Sequence, residues 1–237
     1  MATYVQTNVG LYWGGYSLAS SFNAIALNLA SSPQDNTVYG DTFVSNAAGL
    51  SSVQLEAEGF WESATDLVLQ TSLGSDDTVL SVTPVDQAAG SPSLFSKVTT
   101  STYNPIGTGD VGSMLGFALS AEGRGEKSIS GEILVIPATY TTSSESSTNA
   151  SIGAVSATES VYSALHVTAA SGTLDVIVES APSNWSGEST RITHTQFTAI
   201  GAEMKSAAGA ITDAYWRVKW TISGGGSFDF ICSLGII

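Results

Sequence analysis

Large apolar residues recur at every second position through most of this chain. Leu174, Val176 and Val178 alternate with Asp175 and Glu179, and Trp216, Val218, Trp220 and Ile222 alternate with Arg217, Lys219 and Thr221. A period of two places one set of side chains on each face of an extended strand. The runs are short and are punctuated by Gly, Ser, Thr and Asn, the pattern of an antiparallel all-β protein. Ser63-Ala-Thr-Asp66 resembles a capping box and precedes Leu67–Leu73, the one segment predicted to be helical.

The stretch from Asn23 to Trp61 is the most unusual. Ile25, Leu27 and Leu29 form one face of a first strand. In a second, Val53, Leu55, Ala57 and Trp61 alternate with Gln54, Glu56, Glu58 and Phe60; the core would take Val53 and Leu55, and Glu56 and Glu58 would face water. Residues 31–50 join them, far more than the roughly 2–5 residues a hairpin needs. A long connection that is not of low complexity points to function.

The chain has 237 residues and a net charge of -14. That length suits one large or two smaller β domains. Two are expected, 1–126 and 127–237, with the boundary somewhere in 123–150. Both are expected to be β-sandwich or barrel-like. Lys97 is the first basic residue, while nine acids precede it, from Asp35 to Asp86. Such a surface repels phosphate and so lacks the counterion-release drive of ordinary nucleic-acid binding. It equally disfavours anionic membrane. No apolar run reaches the ~20 residues of a spanning helix, and Met1-Ala-Thr-Tyr-Val5 lacks the basic and apolar regions of a signal peptide.

Chemistry-bearing motifs are scarce. Cys232 alternates with Phe228, Phe230 and Leu234 and reads as a small buried hydrophobe. His166 and His194 stand alone on strands, without zinc-ligand spacing. Gly224-Gly-Gly226 reads as a hairpin loop between two strands. Glu56 and Glu58 lie about 7 Å apart on one strand face, a separation compatible with a glycosidase pair. Catalytic carboxylates normally come from separate elements, however, and no subsite cluster accompanies these. No enzyme activity, cofactor or metal is expected. Arg217 and Lys219 are suited to pair with Asp175 or Glu179 across a sheet. The Asn149 and Asn184 glycosylation patterns read as chance matches.

Val9-Gly-Leu-Tyr-Trp-Gly-Gly-Tyr-Ser-Leu18, Asn36-Thr-Val-Tyr-Gly-Asp41, Ala48-Gly-Leu50 and Glu56-Ala-Glu-Gly-Phe60 resemble the N-terminal part of major tail tube proteins of long-tailed, siphovirus-like bacteriophages. The resemblance covers roughly the first 75 residues, and the second half departs from a minimal one-domain tube subunit. It implies a self-assembling virion protein, built in the host cytoplasm and carried in the tail. Its rings would stack into an acidic channel through which DNA passes without specific binding during genome ejection. Gln34, Asp35, Asn36, Thr37, Val38, Tyr39, Gly40, Asp41 and Phe43 would contact the adjacent ring. Gln54, Glu56, Glu58, Asp175 and Glu179 would be candidates for the lumen. Partners would be other copies, three per ring if both domains are tube-like and otherwise six, and tail proteins such as the tape measure. The alternatives are a capsid decoration or cement protein and a carbohydrate-binding module using Trp185, Trp216 or Trp220.

Overall fold

Residues 8–40, 42–107, 111–125, 127–146, 152–182, 185 and 187–237 are described by the structure, a computed structural model. Asp41, Met1–Val5 and, apart from Trp185, both glycosylation patterns lie outside them. The alternating runs form strands, as expected of an all-β chain. In chain order these are β1 (Gly10–Trp13), β2 (Tyr16–Ser17), β3 (Phe22–Ser31), β4 (Gln34–Asp35), β5 (Asn46–Ala47), β6 (Ser51–Phe60), β7 (Thr78–Thr83), β8 (Pro92–Asn104), β9 (Gly116–Gly123), β10 (Ile129–Tyr140), β11 (Ser144–Glu145), β12 (Ser160–Ala181), β13 (Ser189–Thr193), β14 (Gly201–Ala208) and β15 (Tyr215–Ile236). Among the described residues one helix, α1 (Ser63–Ser72), follows β6.

The chain divides into two compact units, but not at one point. A large unit takes Met1–Ser20, Thr78–Lys97 and Ile129–Ile237, and a small unit takes Ser21–Asp77 and Val98–Ser128. This differs from the expected split into 1–126 and 127–237. The reason is pairing: β1 lies antiparallel to β7, and the start of β8 lies beside β10. The early strands β1 and β7 thereby join the sheet that the late strands build.

In the large unit the strand order is β13-β12-β15-β10-β8-β7-β1-β2, β8 taking part through its first residues, and β14 also pairs with β12. The sheet rolls closed. β12 and β7 are separated by three strands in this order, yet His166 on β12 bonds to Ser81 on β7 at 2.7 Å. Its other ring nitrogen lies 2.7 Å from the carbonyl of Gly14. That carbonyl can only accept, so Nδ1 carries the proton and Nε2 accepts from the Ser81 hydroxyl. Burial holds this ring neutral, lowering its pKa from 6.5 to about 4. On the sheet's other face Val161, Leu165, Val167, Leu174, Val176 and Val178 of β12 pack with Trp216, Val218, Trp220, Phe228, Phe230 and Cys232 of β15.

β12 and β15 pair antiparallel from Val161↔Ile236 to Ala181↔Tyr215. Gly172 and Gly224–Gly226, the latter expected to be a hairpin loop, are therefore not in loops. They lie inside two 22-residue strands and face each other, between Ser171↔Ser227 and Thr173↔Ser223. Gly172 has φ +95°, and a shift of register occurs there. Glycine clusters in a strand accompany bulges as well as turns, and here they bend a continuous pair.

The small unit is a four-stranded antiparallel sheet, β3-β6-β9 and the second part of β8. Val53, Leu55, Ala57, Phe117, Leu119 and Ala121 are buried on its dry face. Helix α1 lies over that face. Leu69 is fully buried, Tyr103 of β8 donates to Asp66 at 2.6 Å, and Ser21 and Thr65 share a hydrogen bond of 2.8 Å. The helix spans the expected region, but its start differs. Glu62 is the N-cap, without a side-chain capping bond, and Asp66 is engaged by Tyr103 and Gln70 instead.

Candidate assembly surface

The wet face of the small sheet is acidic and smooth. Gln54, Glu56 and Glu58 project from β6 between buried Val53, Leu55 and Ala57, the arrangement the alternation predicts. Glu56 stands between Ala26 on β3 and Ser120 on β9, and Glu58 stands between Ala24 and Ala118. Gln54 faces Asn28 and Glu122, which adds a third carboxylate that the sequence reading did not single out. Opposite charges commonly sit across strands from one another; here small neutral residues take those places. Among the described residues none of Glu56, Glu58 and Glu122 is in an ion pair. Arg124, the basic residue after β9, is engaged with Asp77 at 2.7 Å and Asp76 at 3.6 Å.

β3 pairs with β6 alone among the described residues, which leaves its outer margin open. On the other side Thr100 of β8 is bridged to Leu73 and accepts from Gly74 N–H, and the open margin is the short stretch Thr102–Asn104, paired with β9. β3 is ten residues long, with neither a charged residue nor a proline. Proteins normally blunt such an edge with lysine, proline or a short length, and none of these devices is present.

Residues 31–50 are not a slack loop. They continue the β3/β6 hairpin as a narrow two-stranded ribbon: Ser32 N–H donates to Leu50, Gln34 and Asp35 pair with Ala47 and Asn46, and Asn36 N–H donates to Ser45. Gly49 allows the strands to approach, since a Cβ there would lie 1.6 Å from the Ser32 carbonyl oxygen. Near the tip, Asp35 accepts from the Thr37 hydroxyl at 2.5 Å and from its N–H at 2.9 Å. These bonds hold the Asp35 carboxyl below its usual range. Ser45 N–H donates in turn to the Thr37 hydroxyl. The tip is apolar and exposed: Val38, Tyr39, Phe43 and Val44 are 67%, 110%, 85% and 72% exposed. Gln34, Asn36 and Gly40 are exposed as well.

The remaining candidates belong to the large unit. Asp175 accepts from Gln196 at 2.9 Å. Glu179 is buried, its carboxylate 2.8 Å from Arg217, the pairing expected from charge. It is thus a neutralised interior group and offers no free charge to a channel. Arg217 also reaches Glu145 at 3.0 Å and stacks 4.5 Å over Trp185. That stacking occupies the ring considered for carbohydrate, and Trp216 and Trp220 are buried.

One constellation imitates catalytic geometry. Ser163 Oγ lies 3.0 Å from His194 Nε2, and His194 Nδ1 lies 3.0 Å from Glu203. A serine, a histidine and an orienting acid in this order match a nucleophilic triad. Ser163 and the His194 side chain are nevertheless wholly buried, so no substrate reaches the hydroxyl. Burial works to raise the Glu203 pKa, but hydrogen bonds from His194, Thr195 and Lys205 outweigh it and hold the carboxylate well below its usual range. Cys232 lies 3.3 Å from Ser163, and burial pushes its thiol up to about 12. This is a satisfied interior network. Among the described residues no group of three or more His, Cys, Asp or Glu could hold a metal ion.

No protein-family model and no curated protein matches the chain. Among solved structures, it is similar to a chain in the virion of a native gene transfer agent particle, at 12% identity and TM-score 0.38, over 45% of this chain and 82% of that one. It is similar to a chain in the tail of the empty particle of that agent at 10% identity and TM-score 0.36, over 45% and 79%. It is also similar to the SPP1 Dit protein (gp 19.1), described as a hub adsorption apparatus in phages infecting Gram-positive bacteria. There the identity is 8% and the TM-score 0.38, over 98% of this chain and all of that one.

Proposed function

We propose that the chain is a structural subunit of a phage tail that assembles into stacked rings around an acidic channel. The observation that carries the reading is the small sheet, which joins two open margins to an unpaired row of carboxylates. The β3 margin of one copy pairs with the β8 margin of the next, so the sheets continue from copy to copy around a ring. The faces bearing Gln54, Glu56, Glu58 and Glu122 turn inward, and like charge keeps DNA phosphates from adhering. The ribbon tip, with Val38, Tyr39 and Phe43, reaches the next ring. A tape measure protein and DNA would occupy the channel in turn, and the protein would reside in the virion tail. Only the small unit carries this sheet, which favours six copies per ring over three.

The test is electron microscopy and sedimentation of the purified chain beside its Ala26→Lys variant. A charge on the β3 margin is a device that stops edge pairing. The wild type should form rings or tubes, and the variant should keep its fold and remain dispersed. A wild type that stays monomeric at every concentration contradicts the proposal. Binding to capsids without tube formation replaces it with the decoration-protein reading.

A further inference from the structure

The small unit carries a second apolar surface, at the end of the sheet away from the ribbon. Phe60 and Trp61 close β6, Ile106 follows β8, and Met114 and Leu115 precede β9. Backbone bonds hold the three segments together: Trp61 N–H donates to Leu115 and Gly107 N–H to Gly116, both within 2.9 Å. Their side chains are 41%, 36%, 66%, 71% and 45% exposed in the order named. Ile106 and Met114 are its most open members.

We propose that this end is the seat for the ribbon tip of a second copy, so that copies stack head to tail. The inference rests on the tube-subunit reading and names the surface that the ribbon meets. Three observations support a second copy as occupant. The ribbon leaves the Ser51 end of β6 and the seat lies at the Phe60 end, ten residues or about 30 Å away along one strand. Two unlike patches at opposite ends make a heterologous contact, which repeats as an open stack and does not stop at a pair. Tip and seat together expose on the order of 1,000 Å² of apolar side chain, about the area at which an interface becomes specific. Repetition around a ring multiplies each contact.

The rival seat is the cleft of about 810 Å³ at the ribbon's own root. Its walls join Leu29, Leu50 and Val53 to Ser31, Ser52 and Lys127. It lies at the same end as the ribbon, so insertion there would pair copies side by side.

Phe43→Cys and Met114→Cys proteins, mixed under mild oxidation, test the seat. Cys232 is buried and stays out of the reaction. The expected result is a disulfide-linked dimer in the mixture that neither variant forms alone. A charge exchange supplies the second test. Phe43→Asp and Met114→Lys should each abolish assembly while leaving the melting temperature unchanged, and the chain carrying both should regain it. Assembled particles without the cross-link, or linkage of F43C to Ser128→Cys in its place, overturn the seat while leaving the tube reading intact. Absence of any sedimenting assembly in the wild type overturns both.

Discussion

Gly172 and Gly226 meet across the β12/β15 pair with no room for a side chain on either. A Cβ on Gly172 would lie 2.8 Å from the Gly226 Cα, and a Cβ on Gly226 would lie 2.0 Å from the Ser171 carbonyl oxygen. Gly224, in the same bend, has φ +75° but nothing within 4 Å of its Cβ position. The two sites should therefore respond differently. Gly226→Ala forces backbone apart and should cost about 2–4 kcal/mol. Gly224→Ala meets only the left-handed strain of an L-residue, about 1–2 kcal/mol. Urea denaturation of both variants checks the order; equal losses would mean that the close approach does not govern the bend.

His166 gives the large unit a pH response. Its ring titrates near 6.5 when unfolded and at about 4 when folded. Above pH 6.5 the ring is neutral in both states and its contribution is complete. Between 6.5 and about 4 the unfolded chain takes up a proton that the folded chain refuses, so stability falls with pH. Below that window both states are protonated and the loss stops, at about 3 kcal/mol. The check is denaturant titration from pH 7 to 4 on wild type and His166→Gln. The slope in this window should flatten in the variant, and an unchanged slope would place the titration elsewhere.

The sealed Ser163–His194–Glu203 network should behave as structure. Ser163→Ala leaves the buried His194 Nε2 without its hydrogen-bond partner and should cost about 1–3 kcal/mol. Wild type should show no turnover of activated esters. Turnover that Ser163→Ala abolishes would contradict the non-enzymatic reading.

Arg217 neutralises Glu179 inside the fold, with side-chain exposures of 12% and 7%. Arg217→Met strands a buried carboxylate and should cost about 3–5 kcal/mol. Adding Glu179→Met should recover most of that loss, because two apolar groups need no partner. Thermal melts of the single and double variants measure the recovery.

The acidic face should be dispensable for folding and decisive toward DNA. Glu56 and Glu58 are exposed, so Glu56→Lys/Glu58→Lys should alter stability by under about 0.5 kcal/mol. The variant should retain duplex DNA in a salt-sensitive manner in gel shifts, where the wild type does not. Equal behaviour of the two proteins would remove the proposed role of these carboxylates.

Much of this was legible in the residues. Strict alternation located most of the strands, assigned Val53 and Leu55 to the core and Glu56 and Glu58 to water, and set Arg217 and Lys219 against Asp175 and Glu179, of which Arg217–Glu179 is the pair that forms. Glycine was read less well. Gly224–Gly226 has the composition of a hairpin loop, and only the facing bend at Gly172, 52 residues earlier, turns it into a bulge within one strand. β14 has no strand signature, because Gly-Ala-Glu-Met-Lys-Ser-Ala-Ala contains one large apolar residue, Met204, and favours helix by propensity. It is a strand because Ser160–Val167 offers it an edge. The domain division was hidden for a similar reason, since pairing between distant strands leaves no mark in local composition. At the ribbon, Val38, Tyr39 and Phe43 were in view within a polar segment, but only the ladder beneath them makes them a tip.

Because the small unit is made of two excursions from the large one, synthesis from the N-terminus completes them in a fixed order. Every residue of the small unit has been added once Ser128 is in place, whereas β1 and β7 must wait for His166 and the strands around it. A nascent chain therefore carries the whole sequence of its small unit before the strands that close its larger unit have been made.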